Sequence, residues 1–173
     1  TTAPFLHFKV SFEDYFYYFH RFKISISEVE FISLKRDKSK TQIALIANSF
    51  EDMKLGERIL RDYNLLKSKN TEVFIIPLGF DWHLSKEQVS LYHHFVAQNV
   101  DLLISLGGDD IHPLLYEQEN QKARNVFYDR DLSEFNLVKF YKSYSKGIYL
   151  GICRGHQLSA VIEGFELIQD LGE

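Results

Sequence analysis

Residues 147–157 read GIYLGICRGHQ, and this stretch decides how the whole chain is interpreted. An apolar run leads directly into Cys153, the only cysteine of the chain, which stands between Gly151 and Gly155. A free cysteine can simply fill a small buried space. It can also be a nucleophile on a sharp turn between a strand and a helix, where flanking glycines allow a close backbone approach. The surrounding sequence distinguishes these two interpretations.

Four short apolar segments alternate with helical patterns from residue 42 onward. Continuous apolar runs of this length are typical of strands that are covered on both faces, and apolar residues spaced three or four apart indicate helices. Asp131 and Glu134 form a capping-box pattern that should open the third helix. This alternation predicts an α/β fold, a parallel sheet with helices on both faces. The predicted strands are residues 42–48, 71–78, 100–106 and 147–152, and the predicted helices are residues 51–68, 85–98, 131–144 and 154–163.

Two loops at the carboxyl ends of predicted strands carry the informative residues. GGDD (107–110) follows the third strand and CRGHQ (153–157) follows the fourth. Because the carboxyl ends of parallel strands lie at one edge of the sheet, these loops should face each other. A helix that begins just after Cys153 would direct its N–H groups at the sulfur and favour the thiolate, the form that attacks. Backbone N–H groups of Arg154 and of the Gly107-Gly108 turn would stabilise the resulting oxyanion, so the nucleophile is the favoured interpretation.

Length and composition narrow the classes of function. The chain has 173 residues and a net charge of −4, which fits one globular domain and gives no basic surface for nucleic acid. Its single cysteine excludes an intrachain disulfide and fits a reducing compartment, so we expect a cytoplasmic protein. No uncharged apolar run is long enough to span a membrane, and the first residues lack the features of a secretory signal. We therefore expect neither nucleic acid nor a membrane as a partner.

Residues 1–40 form an aromatic-rich extension before the first predicted sheet strand. In FEDYFYYFHRF (12–22), aromatic residues recur on one face of a helix. Aromatic clusters can stack on nucleic-acid bases, but acidic residues interrupt this one and basic residues are few. We therefore predict that it packs against the domain or a partner. Residues 24–34 are expected to be a strand or extended, and KRDKSK (35–40) a solvated connector.

Four segments form a set of ordered motifs: the elbow LGICRGHQ (150–157), the loop SLGGDDIHPLLY (105–116), the acidic-Arg-Asp segment YDRDLSEF (128–135) and the strand-like segment ELIQDL (166–171). The elbow resembles the nucleophile-elbow signature of the class I glutamine amidotransferases. More narrowly, all four resemble motifs of the γ-glutamyl hydrolase branch, the peptidase C26 type, which includes γ-glutamyl-γ-aminobutyrate hydrolases. The resemblance covers about residues 42–173 and implies a flavodoxin-like α/β fold.

This resemblance implies a role for each matching position. Cys153 would be the nucleophile, and the amides of Gly108 and Arg154 would form the oxyanion hole. Gly107 would shape the turn beside the substrate, while His156 and Gln157 would line the site of the glutamyl group. The implied reaction attacks a γ-glutamyl amide of a small-molecule substrate, releases an amine or ammonia, and passes through a thioester without a cofactor.

The chain departs from the family pattern in three places. VIEG (161–164) stands where the branch usually has a Gly-rich stretch, and Glu163 is expected to face solvent. Residues 147–149 replace a proline that is common before the elbow strand. The catalytic His-x-Glu of the family follows the nucleophile helix at a distance, whereas this chain stops at Glu173. We therefore expect residues 41–173 to be a C-terminally incomplete domain, completed by a longer chain or a partner chain, or else a protein that has lost that half.

The histidines give no metal site and no clear replacement base. His112 follows the GGDD loop and could line the cleft. His93 and His94 are adjacent, so they point to different faces and do not form the i,i+4 pair that binds a metal. His7, His20 and His83 have no motif around them.

Three functions remain open from the sequence. The first is a cysteine hydrolase of γ-glutamyl substrates, which the elbow and the GGDDIHP loop favour. The second is a glutaminase subunit that passes ammonia to a synthase partner. The third is a non-catalytic family member that binds a ligand or a partner, because the base-bearing segment is missing.

Overall fold

The computed structural model describes residues 39–47, 50–64, 69–78, 80–83 and 85–171. In these residues four strands, β1 (Thr41–Ala47), β2 (Thr71–Pro77), β3 (Leu102–Ser105) and β4 (Ile148–Gly151), form one sheet in the order β2-β1-β3-β4. All three neighbouring pairs are parallel. The aromatic-rich extension lies outside the described residues, apart from residues 39 and 40.

Helices cover both faces of this sheet. They are α1 (Phe50–Asp62), α2 (Lys86–Asn99), α3 (Tyr128–Tyr144) and α4 (Arg154–Ile162). Alternate residues of β1 and β3 enter two separate apolar clusters, as the two-residue period of a strand requires. One cluster contains Leu60 of α1, and the other contains residues of α2, α3 and α4. The predicted flavodoxin-like α/β fold is therefore confirmed.

Local hydrogen bonds account for the start of α2, and a left-handed residue follows the end of α1. Ser85 caps α2 through a reciprocal box, because the N–H of Gln88 donates to Ser85 Oγ (3.2 Å) and the N–H of Ser85 donates to Gln88 Oε1 (2.8 Å). Helix α1 ends at Asp62, before residue 68 where the sequence pattern placed its end. Asn64 follows with a φ of 58°, a left-handed conformation typical of the residue after a helix.

Two further predictions are wrong. Helix α3 begins at Tyr128, one turn before Asp131, and its cap residue Phe127 makes no side-chain capping bond. Asp131 and Glu134 are not capping residues but buried groups inside the helix. Residues 166–171 form no strand; they are irregular and follow α4. The capping pattern failed because both carboxylates have a stronger partner, an arginine in the elbow.

Strand β4 forms one edge of the described sheet. One of its faces is open, since Ile148 is 69% exposed and Leu150 is 42% exposed. On the opposite face Tyr149 packs against the apolar cluster of α2, α3 and α4. No helix in the described ranges has the length and apolar character needed to cross a bilayer.

Candidate active site

Cys153 lies at the junction that the elbow pattern predicts, between the end of β4 and the first residue of α4. Its backbone has φ 52° and ψ −111°, and its side chain is exposed. A positive φ is uncommon for a residue with a Cβ, and it marks positions where the surrounding structure imposes the conformation. Here the N–H groups of His156 and Gln157 donate to the Cys153 carbonyl at 2.9 and 3.1 Å, which closes the turn.

The two glycines flanking Cys153 are required by close backbone contacts. A Cβ on Gly155 would lie 2.5 Å from the carbonyl oxygen of Ser105 in β3. A Cβ on Gly151 would lie 2.4 Å from the carbonyl oxygen of Gly155. The N–H of Gly155 also donates to Leu106 O at 3.1 Å, so the first turn of α4 is pressed against the end of β3. The G-x-C-x-G spacing thus lets the elbow that carries Cys153 pack against the end of the neighbouring strand.

The Gly107-Gly108 turn faces Cys153, as the parallel topology predicts. A Cβ on Gly107 would lie 3.3 Å from Cys153 Cβ and 3.7 Å from Cys153 Sγ. A Cβ on Gly108 would lie 3.5 Å from Arg154 Cδ. Both glycines and Arg154 line a small open cleft. Gly108 in the loop after β3 and Arg154 at the start of α4, whose amides are proposed for the oxyanion hole, therefore lie close together.

Arg154, the residue after Cys153, has a buried charged side chain. It is only 4% exposed, and its two Nη atoms donate separately to Glu134 Oε2 and Asp131 Oδ1. Burial lowers the pKa of Arg154, but the nearby carboxylates of Glu134 and Asp131 outweigh this effect and raise it overall. The guanidinium therefore stays charged and fixed between the two acids of α3.

Asp131 joins the elbow to the loop after β3. Its Oδ1 also accepts from Arg130 Nε at 2.8 Å, and its Oδ2 accepts from the backbone N–H of His112 at 2.8 Å. Arg130 in turn donates to the Asp110 carbonyl (3.4 Å) and lies 3.5 Å from the Asp109 carboxylate. Asp131 is fully buried, and its charge is balanced by the two guanidinium groups. Sequence reasoning missed this role of Asp131 and Glu134, although their i,i+3 spacing places both on one helix face.

The other predicted site residues are exposed or half-buried. His156 and Gln157 are exposed in the first turn of α4, immediately after Cys153. His112 uses its Nδ1 to accept from the backbone N–H of Leu114 (3.2 Å), which begins a short 3₁₀ helix, Pro113–Tyr116. Its ring also meets Tyr128 edge to face, with the centroids 5.3 Å apart. One nitrogen of His112 is therefore committed to the backbone.

His93 and His94 belong to an aromatic cluster between α2 and α3. Their rings lie 5.6 Å and 4.7 Å from that of Phe140. Burial lowers the pKa of His93, and the Nε2 of this ring has no hydrogen-bond partner. Within the described ranges no group of three or more His, Cys, Asp or Glu side chains is arranged to hold a metal.

Glu163, the departure in the VIEG stretch, lies at the surface. Its carboxylate is 2.6 Å from Lys142 Nζ, and its side chain is 56% exposed. The hydrogen bond and charge of Lys142 lower the pKa of Glu163. The residue forms an exposed cross-link between α3 and α4 at the end of α4 remote from Cys153.

A family model described as peptidase C26 matches residues 35–173 of the chain. The chain belongs to the peptidase C26 family. This places it in the class I glutamine amidotransferase-like superfamily, as the four motifs predicted. The matched segment includes the elbow, the Gly107-Gly108 turn and the buried network of α3.

Two curated proteins resemble part of this C26 chain. Protein NtpR of Enterococcus hirae is 41% identical over 73 residues, which are 42% of this chain and 30% of that protein. A putative glutamine amidotransferase-like protein, YvdE, of Lactococcus lactis is 40% identical over 75 residues, which are 43% of this chain and 31% of that protein. The chain thus matches about a third of the length of these relatives.

Proposed function

We propose that this C26 protein is a cysteine hydrolase of γ-glutamyl amide bonds, with Cys153 as the nucleophile. The supporting observation is the exposed thiol of Cys153 on a backbone with φ 52°, close beside the Gly107-Gly108 turn. A cysteine that only filled space in the core would be buried, and it would not require a backbone with positive φ. A reducing compartment such as the cytoplasm would keep this thiol free.

The proposed reaction has two steps. The thiolate of Cys153 attacks the γ-carbonyl carbon, and the carbonyl electrons move to the oxygen, where the N–H groups of Gly108 and Arg154 stabilise the charge. The C–N bond then breaks, and the amine leaves with a proton from a general acid. Water attacks the thioester, releases glutamate and regenerates the thiol. Gly107, His156 and Gln157 would hold the glutamyl group.

The acid that protonates the amine is proposed to come from the family's His-x-Glu segment, in a longer chain or in a partner chain. His112 is a weaker candidate because its Nδ1 is bound to Leu114 N–H. We therefore expect the 173-residue chain alone to cleave unactivated γ-glutamyl amides slowly. Addition of that segment should raise the rate.

The test is glutamate release from a panel of γ-glutamyl amides that includes glutamine and γ-glutamyl-γ-aminobutyrate. The 173-residue chain, a form completed with a His-x-Glu segment, and its Cys153→Ala variant should be compared, with Glu163→Gln as a control at the far end of α4. Turnover by the completed protein that disappears in Cys153→Ala supports the proposal. Turnover that survives this substitution refutes it.

A second candidate is a glutaminase subunit that passes ammonia to a partner enzyme. The name of the Lactococcus relative and the open apolar face of β4, with Ile148 and Leu150 exposed, favour it. Such a subunit would release ammonia from glutamine and would ignore larger γ-glutamyl amides. Absence of turnover across the whole panel by the completed protein would instead favour a non-catalytic binding protein.

A further inference from the structure

The buried network of α3 connects the two loops that carry the proposed oxyanion donors. Asp131 accepts from Arg154, whose backbone follows Cys153, through Oδ1. The same residue accepts from the backbone of His112, in the loop that begins with Gly107 and Gly108, through Oδ2. One fully buried carboxylate thus holds both sides of the site.

We propose that Asp131 is a positioning residue that sets the spacing of the Gly108 and Arg154 amides, with Glu134 as its support on the elbow side. This inference rests on the proposed function, because it concerns the oxyanion hole of that reaction. Asp131 touches neither the substrate nor Cys153 in the proposed mechanism. Asp131 affects the oxyanion hole indirectly, through its hydrogen bonds with the Arg154 guanidinium and the backbone N–H of His112.

The division of contacts supports this assignment. Arg154 places one arm of its fork on each carboxylate, which fixes the rotation of the side chain. Arg130 adds a second hold on the opposite loop, through Asp109 and the Asp110 carbonyl. Backbone bonds from Ile152 and Gly155 to the end of β3 hold the elbow in place. The loop that carries Gly108 lies outside any helix or strand, so its bonds to Asp131 and Arg130 help to set its distance from Arg154. Oxyanion donors act only when they lie at hydrogen-bond distance from the developing charge.

Two small electrophiles distinguish a loss of oxyanion-hole geometry from a general loss of folded structure. With p-nitrophenyl acetate, the thiolate attacks the carbonyl carbon, an oxyanion forms, and nitrophenolate leaves without needing a proton. With iodoacetamide, the thiolate displaces iodide from a CH₂ group and no oxyanion forms. The ratio of the two second-order rates at Cys153 therefore reports on the oxyanion hole, whatever the natural substrate is.

The experiment measures this ratio for the 173-residue chain, Asp131→Asn, Glu134→Gln and the control Glu163→Gln. The control removes the carboxylate charge from the exposed Lys142–Glu163 cross-link between the same two helices. We expect Asp131→Asn to lower the ratio at least about tenfold, since loss of one oxyanion donor costs about a hundredfold or more. Glu134→Gln should lower it less, and Glu163→Gln should leave it unchanged.

The outcomes are distinct. A folded Asp131→Asn variant with an unchanged ratio, whether both rates are kept or both fall equally, overturns the positioning role. It leaves the assignment of Cys153 as the nucleophile intact. If Asp131→Asn does not fold, Glu134→Gln decides, and a ratio equal to that of Glu163→Gln overturns the proposal. A wild-type ratio no higher than that of N-acetylcysteine contradicts the oxyanion hole itself, and with it both the proposed function and this inference.

Discussion

Replacement of Gly155 by alanine tests whether the elbow depends on close contact between α4 and β3. The added Cβ would lie 2.5 Å from the carbonyl oxygen of Ser105 and 2.7 Å from its Cβ. Real Cβ contacts essentially never fall below 3.0 Å, so α4 must move by about 0.5 Å or more. Strand β3 pairs with β1 on one side and β4 on the other, so it resists the shift.

The change in the free energy of unfolding caused by Gly155→Ala follows from two opposing effects. Overpacking of a tight site costs about 1–3 kcal/mol, and a clash with a central strand belongs near the upper value. Alanine regains up to about 1 kcal/mol over glycine through helix propensity. We therefore expect Gly155→Ala to lower the free energy of unfolding by about 2 kcal/mol. A displacement of this size at Cys153 should also slow acylation by p-nitrophenyl acetate about tenfold.

Urea denaturation and acylation kinetics provide the assay, with Gly164→Ala as the matched control. Gly164 lies just after α4 and has open space around it, but its φ of 89° makes alanine strained. The control should therefore lose about 1 kcal/mol of stability through the backbone alone and keep its acylation rate. A Gly155→Ala variant with unchanged stability and acylation would refute the account of the G-x-C-x-G spacing.

Two further predictions concern regions outside the elbow. Burial lowers the pKa of His93, so the folded state favours the neutral ring, and the stability this provides is lost as the pH falls below the ordinary value of 6.5. His93→Phe should therefore show a smaller loss of unfolding free energy than the wild type between about pH 8 and about pH 5, and an equal loss would contradict this role. Gln169 Oε1 accepts from the N–H groups of residues 121, 122 and 123 at 2.8, 3.0 and 3.3 Å. Gln169→Ala should therefore lower hydrogen-exchange protection at these amides about fivefold or more, and unchanged protection would show that the loop is held by other contacts.

The alternation of apolar strands and helices was sufficient to predict the sheet and the position of the elbow. The pattern works because parallel strands covered on both faces must be largely apolar along their length, as β1 is from residue 43 to 47. The meeting of the Gly107-Gly108 turn with Cys153 follows from the same topology. These features depend on chain order and periodicity, which a single sequence contains.

The role of Asp131 and Glu134 could not be read from the sequence. Their spacing resembles a capping box, and only the packing of α3 against α4 shows that both face Arg154. The ion pairs of these two carboxylates with Arg154 outweigh the tendency of this spacing to cap a helix. The course of residues 166–171 was also mispredicted, because Gln169 holds the preceding loop instead of pairing in a sheet.

The most direct test of the central claim is detection of a glutamyl thioester on Cys153. The protein would be mixed with a γ-glutamyl p-nitrophenyl thioester, quenched in acid, digested and analysed by mass spectrometry, with Cys153→Ser as the reference. We predict that the peptide containing Cys153 gains the mass of one glutamyl acyl group, and that hydroxylamine removes it. Recovery of an unmodified Cys153 peptide, from a protein whose thiol still reacts with iodoacetamide, would contradict the assignment of Cys153 as the nucleophile.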